Sequence, residues 1–352
     1  MDLNKLLEHH HRQVNRKAWR DLQHFSSSLS ENGQLKSVSA PVSPHLQVTA
    51  LCHRSLVKDG PALLFEKPRG FDMPVLGNLF GNQQRILAAL ELQSRKDLLA
   101  LGRDLAFLRN PSLPDSRQSM LDVAPGFARL AHITPKLKDK APWQENHVEG
   151  PDVDLGKLPI SQCWPDDAGP LITWGMVITR GPDKPRVNLA IYRLQVIGKN
   201  KLIMRWLPHR GGAQDFREFQ QASPGQAFPV SVVIGADPAT LLAAVTPIPD
   251  TLSEYQFAGL LRGRRSRVVN SELTGLPIPH GAEIVIEGHI QPGEMATEGP
   301  FADHTGYYNA TADFPVFTVA RISHRNNPVY LTTYLGKPGE DEPSVMAVSY
   351  TH

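Results

Sequence analysis

The sequence has almost no cysteine, no long apolar run and almost no net charge, and each absence removes a class of protein. Only Cys52 and Cys163 occur among 352 residues. They lie far apart without metal-type spacing, so no disulfide framework is expected, and the composition suits a reducing cytoplasm. No apolar stretch approaches the roughly 20 residues of a membrane span, and the polar N-terminus does not read as a secretory signal. Lysine and arginine number 37 against 35 aspartates and glutamates, a formal net charge of +2. No overall field therefore argues for nucleic acid as a partner. Neither a phosphate loop nor a dinucleotide fingerprint is found. His9, His10 and His11 look like a metal tract but read as part of an unordered polar terminus.

What is present is an ordinary globular balance, 41% hydrophobic and 20% charged, in a chain long enough for two domains. Up to about residue 32 the pattern is helical, with Leu22, Phe25 and Leu29 at helical spacing and Gly33 as the stop. A second helix is expected over 46–57, short buried strands over 62–65 and 74–77, and a helical stretch over 85–108. This predicts a mixed α/β domain over residues 1–125. Residues 110–158, rich in Pro, Lys and Asp, read as an irregular boundary. Beyond it the periodicity becomes strand-like over 173–179, 188–196, 201–207, 229–234, 283–290 and 317–322, which suggests an antiparallel barrel or sandwich over residues 126–335. Two helices interrupt it. One begins at Asp237-Pro238, an N-cap followed by proline, and the other runs over 252–262 and stops at Gly263.

Three clusters carry polar chemistry. Asn188, His209 and Glu254 offer an amide oxygen, an imidazole nitrogen and a carboxylate, a set that suits a divalent ion of the Mn or Mg type. Each also has a plainer reading: Asn188 opens a strand, His209 sits in the turn before Gly211-Gly212, and Glu254 closes a Thr251-x-x-Glu254 capping box. Arg193, Arg205 and Arg210 can bind phosphate through paired hydrogen bonds or lie on a solvated strand face. Lys199 and Lys201 read as exposed turn residues. Glu298 and Asp303 flank a Gly-Pro turn that can aim both carboxyls into one cleft, where burial and mutual repulsion raise a pKa and make a proton donor. The alternative is a pair of solvated loop residues, with Asp303 forming an Asx turn.

These clusters, in this order, resemble the UbiD family of decarboxylases. The resemblance is carried by Cys163-Trp-Pro-Asp166, Pro170-Leu-Ile-Thr-Trp-Gly175, Asn188 to Arg193, Ile197 to Leu207, His209-Arg-Gly-Gly212, Pro249 to Glu254, Glu298-Gly-Pro300 and Asp303-His-Thr-Gly-Tyr-Tyr-Asn309. It implies an α+β protein: an N-terminal α/β domain followed by a split β-barrel that binds prenylated FMN (prFMN). It further implies Mn²⁺ held by Asn188, His209 and Glu254, with a monovalent cation, usually K⁺. By motif position Ile191, Tyr192, Arg193, Arg205, Trp206, Leu207, Arg210 and Gly211 would contact the cofactor, and Arg193, Glu298 and Asp303 would form the acid–base network. The activity implied is that of a carboxy-lyase acting on a polyprenylated 4-hydroxybenzoate in ubiquinone formation. A homo-oligomer at the cytoplasmic inner face of the cell membrane is implied as well.

The family continues into a C-terminal α/β domain, whereas here the pattern ends at about Ser349. Residues 336–352 are therefore expected to be a truncated start of that region, and Met1 to about Asn15 also depart from the pattern. Two alternatives follow. One is an inactive fragment that binds flavin or a partner. The other is a flavin-dependent oxidoreductase, since split barrels also serve flavin reductases, although hydride transfer needs neither the metal set nor the carboxylate pair.

Overall fold

A computed structural model describes residues 19–109, 129–249 and 251–351. The first 18 residues of the helix expected up to about residue 32, the histidine tract among them, and residues 110–128 of the expected boundary lie outside the described residues. The chain then runs through α1 (Leu22–Glu31), β1 (Leu35–Val38), α2 (Gln47–Val57), β2 (Ala62–Phe65), β3 (Val75–Gly77), α3 (Gln83–Ala89) and α4 (Arg95–Arg109). Helix α1 buries Leu22, Phe25 and Leu29 on one face, and Asp21 caps it by accepting from the His24 amide at 2.8 Å. Gly33 has φ 68°, the left-handed backbone that glycine adopts without strain. The single helix expected over 85–108 is two helices. Glu91 has φ 57°, and the Asp97 carboxylate accepts from the Gln93 and Ser94 amides, 3.0 Å each, so a new N-terminus is capped there.

Next come β4 (Lys136–Leu137), β5 (Asn146–Glu149), β6 (Leu171–Thr179), β7 (Asn188–Gly198), β8 (Lys201–Met204), α5 (Gly211–Ala222), β9 (Phe228–Ile234), α6 (Pro238–Val245) and α7 (Glu254–Arg262). They are followed by β10 (Arg267–Asn270), β11 (Pro277–Pro279), β12 (Ile284–Glu298), β13 (Ala312–His324), β14 (Tyr330–Leu331) and α8 (Glu342–Thr351). Strands β12, β9, β6, β7, β8 and β13 pair in that order, and β13 pairs back onto β12. Every pairing is antiparallel, so six strands close into a barrel with no free edge between them. Strand β5 adds onto β13. All nine residues of β6 are buried, because the barrel interior covers one face and α5 the other. The architecture is the expected α+β barrel.

The differences from expectation are local. Strand β12, expected over 283–290, continues through Gln291-Pro292-Gly293 to Glu298; a register irregularity between Ile290 and Met295 absorbs the proline. Strand β8 ends at Met204, so Arg205, Trp206 and Leu207 are not strand residues. The turn expected before Gly211-Gly212 is present at Pro208-His209, and helix α5 starts directly after it at Gly211. The described part of the boundary, 129–158, carries β4, β5 and three one-turn 3₁₀ helices. After the barrel the chain returns to the N-terminal layer: β14 pairs parallel with β3 in a sheet ordered β1-β2-β3-β14, and α8 packs on α3. Glu342, in the first turn of α8, is fully buried and accepts from the Phe80 amide at 2.7 Å. Among the described residues no helix is long and apolar enough to cross a membrane.

Candidate active site

Strand β7 organises the site. Its side chains alternate, so Ile191, Arg193 and Gln195 share one face, and Asn188 and Tyr192 the other. At its start Asn188 is buried. Its Nδ2 donates to Thr179 Oγ1 at 3.2 Å, and Thr179 donates to Asp215 Oδ2 at 2.7 Å. Lys184 holds the other Asp215 oxygen at 3.1 Å. With Nδ2 committed, Asn188 Oδ1 turns toward α5, where a Cβ on Gly211 would overlap it. Tyr192 supports the same turn, its hydroxyl accepting from the Gly212 amide at 3.1 Å. Gly212 packs so closely on Trp206 that a Cβ there would come within 2.7 Å of Nε1. The Trp206 Nε1 has no hydrogen-bond partner among the described residues.

Glu254 opens α7 beside β7, and its Oε2 accepts from the Leu189 amide at 2.9 Å. The capping box of this helix is Ser253 with Gln256, not Thr251 with Glu254. That two-residue offset releases the Glu254 carboxylate from capping, and it bonds instead to the Leu189 amide of β7. Burial pushes its pKa up to about 7 against the Leu189 hydrogen bond and the charge of Arg186. No ion pair to it occurs among the described residues. A buried carboxylate without a counter-cation, next to an amide oxygen with a fixed orientation, fits a divalent cation. The structure thus sets the Glu254 carboxylate on the amide of Leu189, the residue after Asn188. His209 and Arg210 lie exposed in the turn leading into Gly211, and no hydrogen bond ties the His209 ring to either partner among the described residues.

At the middle of β7, Arg193 forks onto Glu298: Nε to Oε1 at 2.7 Å and Nη2 to Oε2 at 2.9 Å. Arg205, just past β8, donates to the same Oε2 at 2.9 Å. Glu298 has 0% exposure, and two guanidiniums meet its one carboxylate. Phe301 and Phe314 lie under Arg193 and Arg205, each 5.4 Å from guanidinium carbon to ring centroid. Arg193 Nη2 also donates to Asn309 Oδ1 at 2.7 Å, and Asn309 accepts in turn from the Phe301 amide. Arg193 Nη1 makes no hydrogen bond among the described residues.

Asp303 heads a tight loop closed by its own amide to Tyr307 O at 3.0 Å and by the Gly306 amide to Asp303 O at 2.9 Å. Asp167 staples this loop to the turn at Cys163-Trp164, one oxygen taking the Ala302 amide and the other the amides of Cys163 and Trp164. The expectation that burial and repulsion raise the Asp303 carboxyl needs correction. Burial does raise it, but hydrogen bonds from the His304 ring and amide, 2.7 Å each, and the charge of Arg193 outweigh that, and the net shift is downward.

Of the expected cofactor contacts, Ile191 is half-buried, Trp206 is buried, Arg205 and Leu207 are partly exposed, and Gly211 starts α5. Lys199 is exposed, and Lys201 pairs with Glu294. The structure adds residues that the sequence reading did not single out: Asn309, Gln195, Asp167, Thr179 and Asp215. Gln195 accepts from the Gly299 amide at 2.9 Å and so fixes the turn after Glu298. The signal for Asn309 was present, since it closes the run that begins at Asp303.

Comparison with known proteins identifies the family to which the fold belongs. The family described as 3-octaprenyl-4-hydroxybenzoate carboxy-lyase Rift-related domain matches residues 135–338, and the corresponding N-terminal domain family matches residues 26–105. A structure of the UbiD-class enzyme HmfF from Pelotomaculum thermopropionicum, in an evolved dimeric form in complex with prFMN, is 30% identical with TM-score 0.77; the match covers 92% of this chain and 69% of that one. The same enzyme in complex with FMN is 30% identical with TM-score 0.78, covering 94% and 67%. Vanillic acid decarboxylase of Sedimentibacter hydroxybenzoicus in its closed form is 27% identical with TM-score 0.81, covering 94% and 67%. The chain thus spans about two thirds of the length of these relatives.

Proposed function

The chain belongs to the UbiD family of decarboxylases, and from that premise we propose that it removes CO₂ without oxidation from a 3-polyprenyl-4-hydroxybenzoate, giving a 2-polyprenylphenol for ubiquinone formation. The observation that carries the reading is the buried Glu298 held by Arg193 and Arg205, with Asp303 on the adjoining loop. The substrate assignment is supported by the description of the matched family, since the similar structures include a decarboxylase of vanillic acid. The cofactor is prFMN, as in the HmfF complex, with Mn²⁺ held by Asn188, His209 and Glu254 and K⁺ as the accompanying monovalent ion. The working form is a homo-oligomer at the cytoplasmic face of the membrane, where a greasy tail partitions.

When bound, prFMN supplies a place for the electrons left on an aromatic carbon as CO₂ departs. The chain does the rest. The free Nη1 of Arg193 meets the substrate carboxylate and orients the bond that breaks. Glu298 and Asn309 keep that guanidinium in one plane. Once CO₂ leaves, the ring carbon takes one proton from the Asp303 carboxyl, which becomes a carboxylate. The Phe301 and Phe314 rings and the stapled 299–309 loop exclude water from this transfer. Asp303→Asn is expected to retain flavin and Mn²⁺ while CO₂ release falls by about two orders of magnitude or more. Undiminished release would exclude Asp303 as the donor.

A further inference from the structure

The reaction uses one proton per turnover, and Asp303 must regain it before the next. Its side chain is 21% exposed, while the His304 side chain is 75% exposed. The His304 ring nitrogen Nδ1 lies 2.7 Å from Asp303 Oδ1, the oxygen that the His304 amide also anchors at 2.7 Å. The imidazole therefore touches both the carboxyl and bulk water. The charged groups acting on Asp303 are His304 from its own loop and Arg193 from β7. Arg193 is committed to Glu298 and Asn309, and a guanidinium is a donor only, so it does not serve as a proton carrier here. The net downward shift of Asp303 makes the need sharper, since an acid that rests as an anion has to be reloaded.

We propose that His304 is the proton relay that reloads Asp303 from solvent between turnovers. This rests on the reading of Asp303 as the acid. A proton from water binds Nε2, the Nδ1–H bond breaks as Oδ1–H forms, and exchange of the ring protons with water restores the starting tautomer. Only one proton moves inward for each proton given to the ring carbon, so the cycle balances without another reactant. His304 acts through Asp303 and is a positioning residue for proton supply.

The test uses the full chain loaded with prFMN and Mn²⁺. His304→Gln keeps a side-chain donor for Oδ1 but cannot ferry a proton. Its kcat is expected to fall on the order of 10- to 100-fold with KM unchanged, and added imidazole should restore most of the loss in proportion to its concentration. An unchanged kcat, or a loss that imidazole leaves untouched, overturns the proposal. If Asp303→Asn still releases CO₂, the reading of the acid fails separately. The relay contact is then read without turnover, by ¹³C titration of the Asp303 carboxyl, which also serves if the loaded chain releases no CO₂. That carboxyl should titrate at higher pH in His304→Ala than in the parent, and an unmoved titration overturns the proposal.

Discussion

Two buried glutamates flank β7, one beside its first residues and one at its middle, and their surroundings are opposite. Glu298 meets two guanidiniums in hydrogen-bond geometry. Glu254 meets one backbone amide and no ion-pair partner among the described residues, and burial pushes it up to about 7. The difference lies in what balances each charge. A buried carboxylate is balanced by an opposite charge, by hydrogen bonds or by taking up a proton. The Glu298 network is complete within the chain and serves to hold Arg193 still. Glu254 has no such pairing among the described residues, and the proposed Mn²⁺ would supply it.

The comparison breaks most readily at Arg193. Arg193→Ala leaves Glu298 buried with Arg205 alone, and unfolding in urea should show a loss of about 3 kcal/mol along with loss of CO₂ release. A loss below about 1 kcal/mol would mean that Glu298 does not depend on that pairing. Next is Glu254→Gln, which should weaken Mn²⁺ by roughly 100-fold or more and abolish metal-dependent flavin retention. The metal-free protein should stay as stable as the parent, since the substitution removes a carboxylate without a partner. Flavin retention untouched by this change would count against the metal assignment.

Gly211→Ala sharpens the same contrast from the other side. The added methyl overlaps Asn188 Oδ1, so melting should report a loss of about 1–3 kcal/mol, and Mn²⁺ affinity should fall with the displaced amide. The smallest effect concerns Glu283, a third buried carboxylate, which has Arg325 at 3.2 Å and amide hydrogen bonds from Gln23 and Val329 yet is still pushed up to about 7, burial being the largest cause. Its folded pKa lies above the ordinary carboxylate value of 4.5. The folded state therefore binds the proton more tightly, and the stability this contributes is present below about pH 4.5 and lost as pH rises toward 7. Glu283→Gln should flatten the fall in Tm between pH 5 and 8, roughly 2–4 °C for each kcal/mol recovered. An unchanged slope would mean that Glu283 does not titrate in that window.

Much of the fold was legible because local signals agreed with the packing. The Leu22, Phe25, Leu29 stripe, the Asp237-Pro238 start of α6 and the Gly263 stop of α7 stand where the sequence places them. The failures share one cause: local patterns that allow two outcomes. Thr251-Leu-Ser-Glu-Tyr-Gln256 contains two overlapping capping signatures, and only tertiary packing selects Ser253 with Gln256, which is what frees Glu254. The strand expected over 283–290 stops short of Gln291-Pro292-Gly293, yet the closing pair of the barrel carries β12 through it to Glu298. At the site, residue types alone pointed to the carboxylate pair but not to its electrostatics. The downward shift of Asp303 comes from His304 and Arg193, and the latter lies over a hundred positions away in sequence.

The most direct test of the account is an anomalous-scattering map from crystals of this chain grown with FMN and Mn²⁺. The account predicts one strong Mn²⁺ peak within coordination distance of Asn188 Oδ1, a His209 ring nitrogen and a Glu254 oxygen, with the flavin phosphate against the same ion. A peak elsewhere, or a bound flavin with no metal between these three side chains, would contradict it.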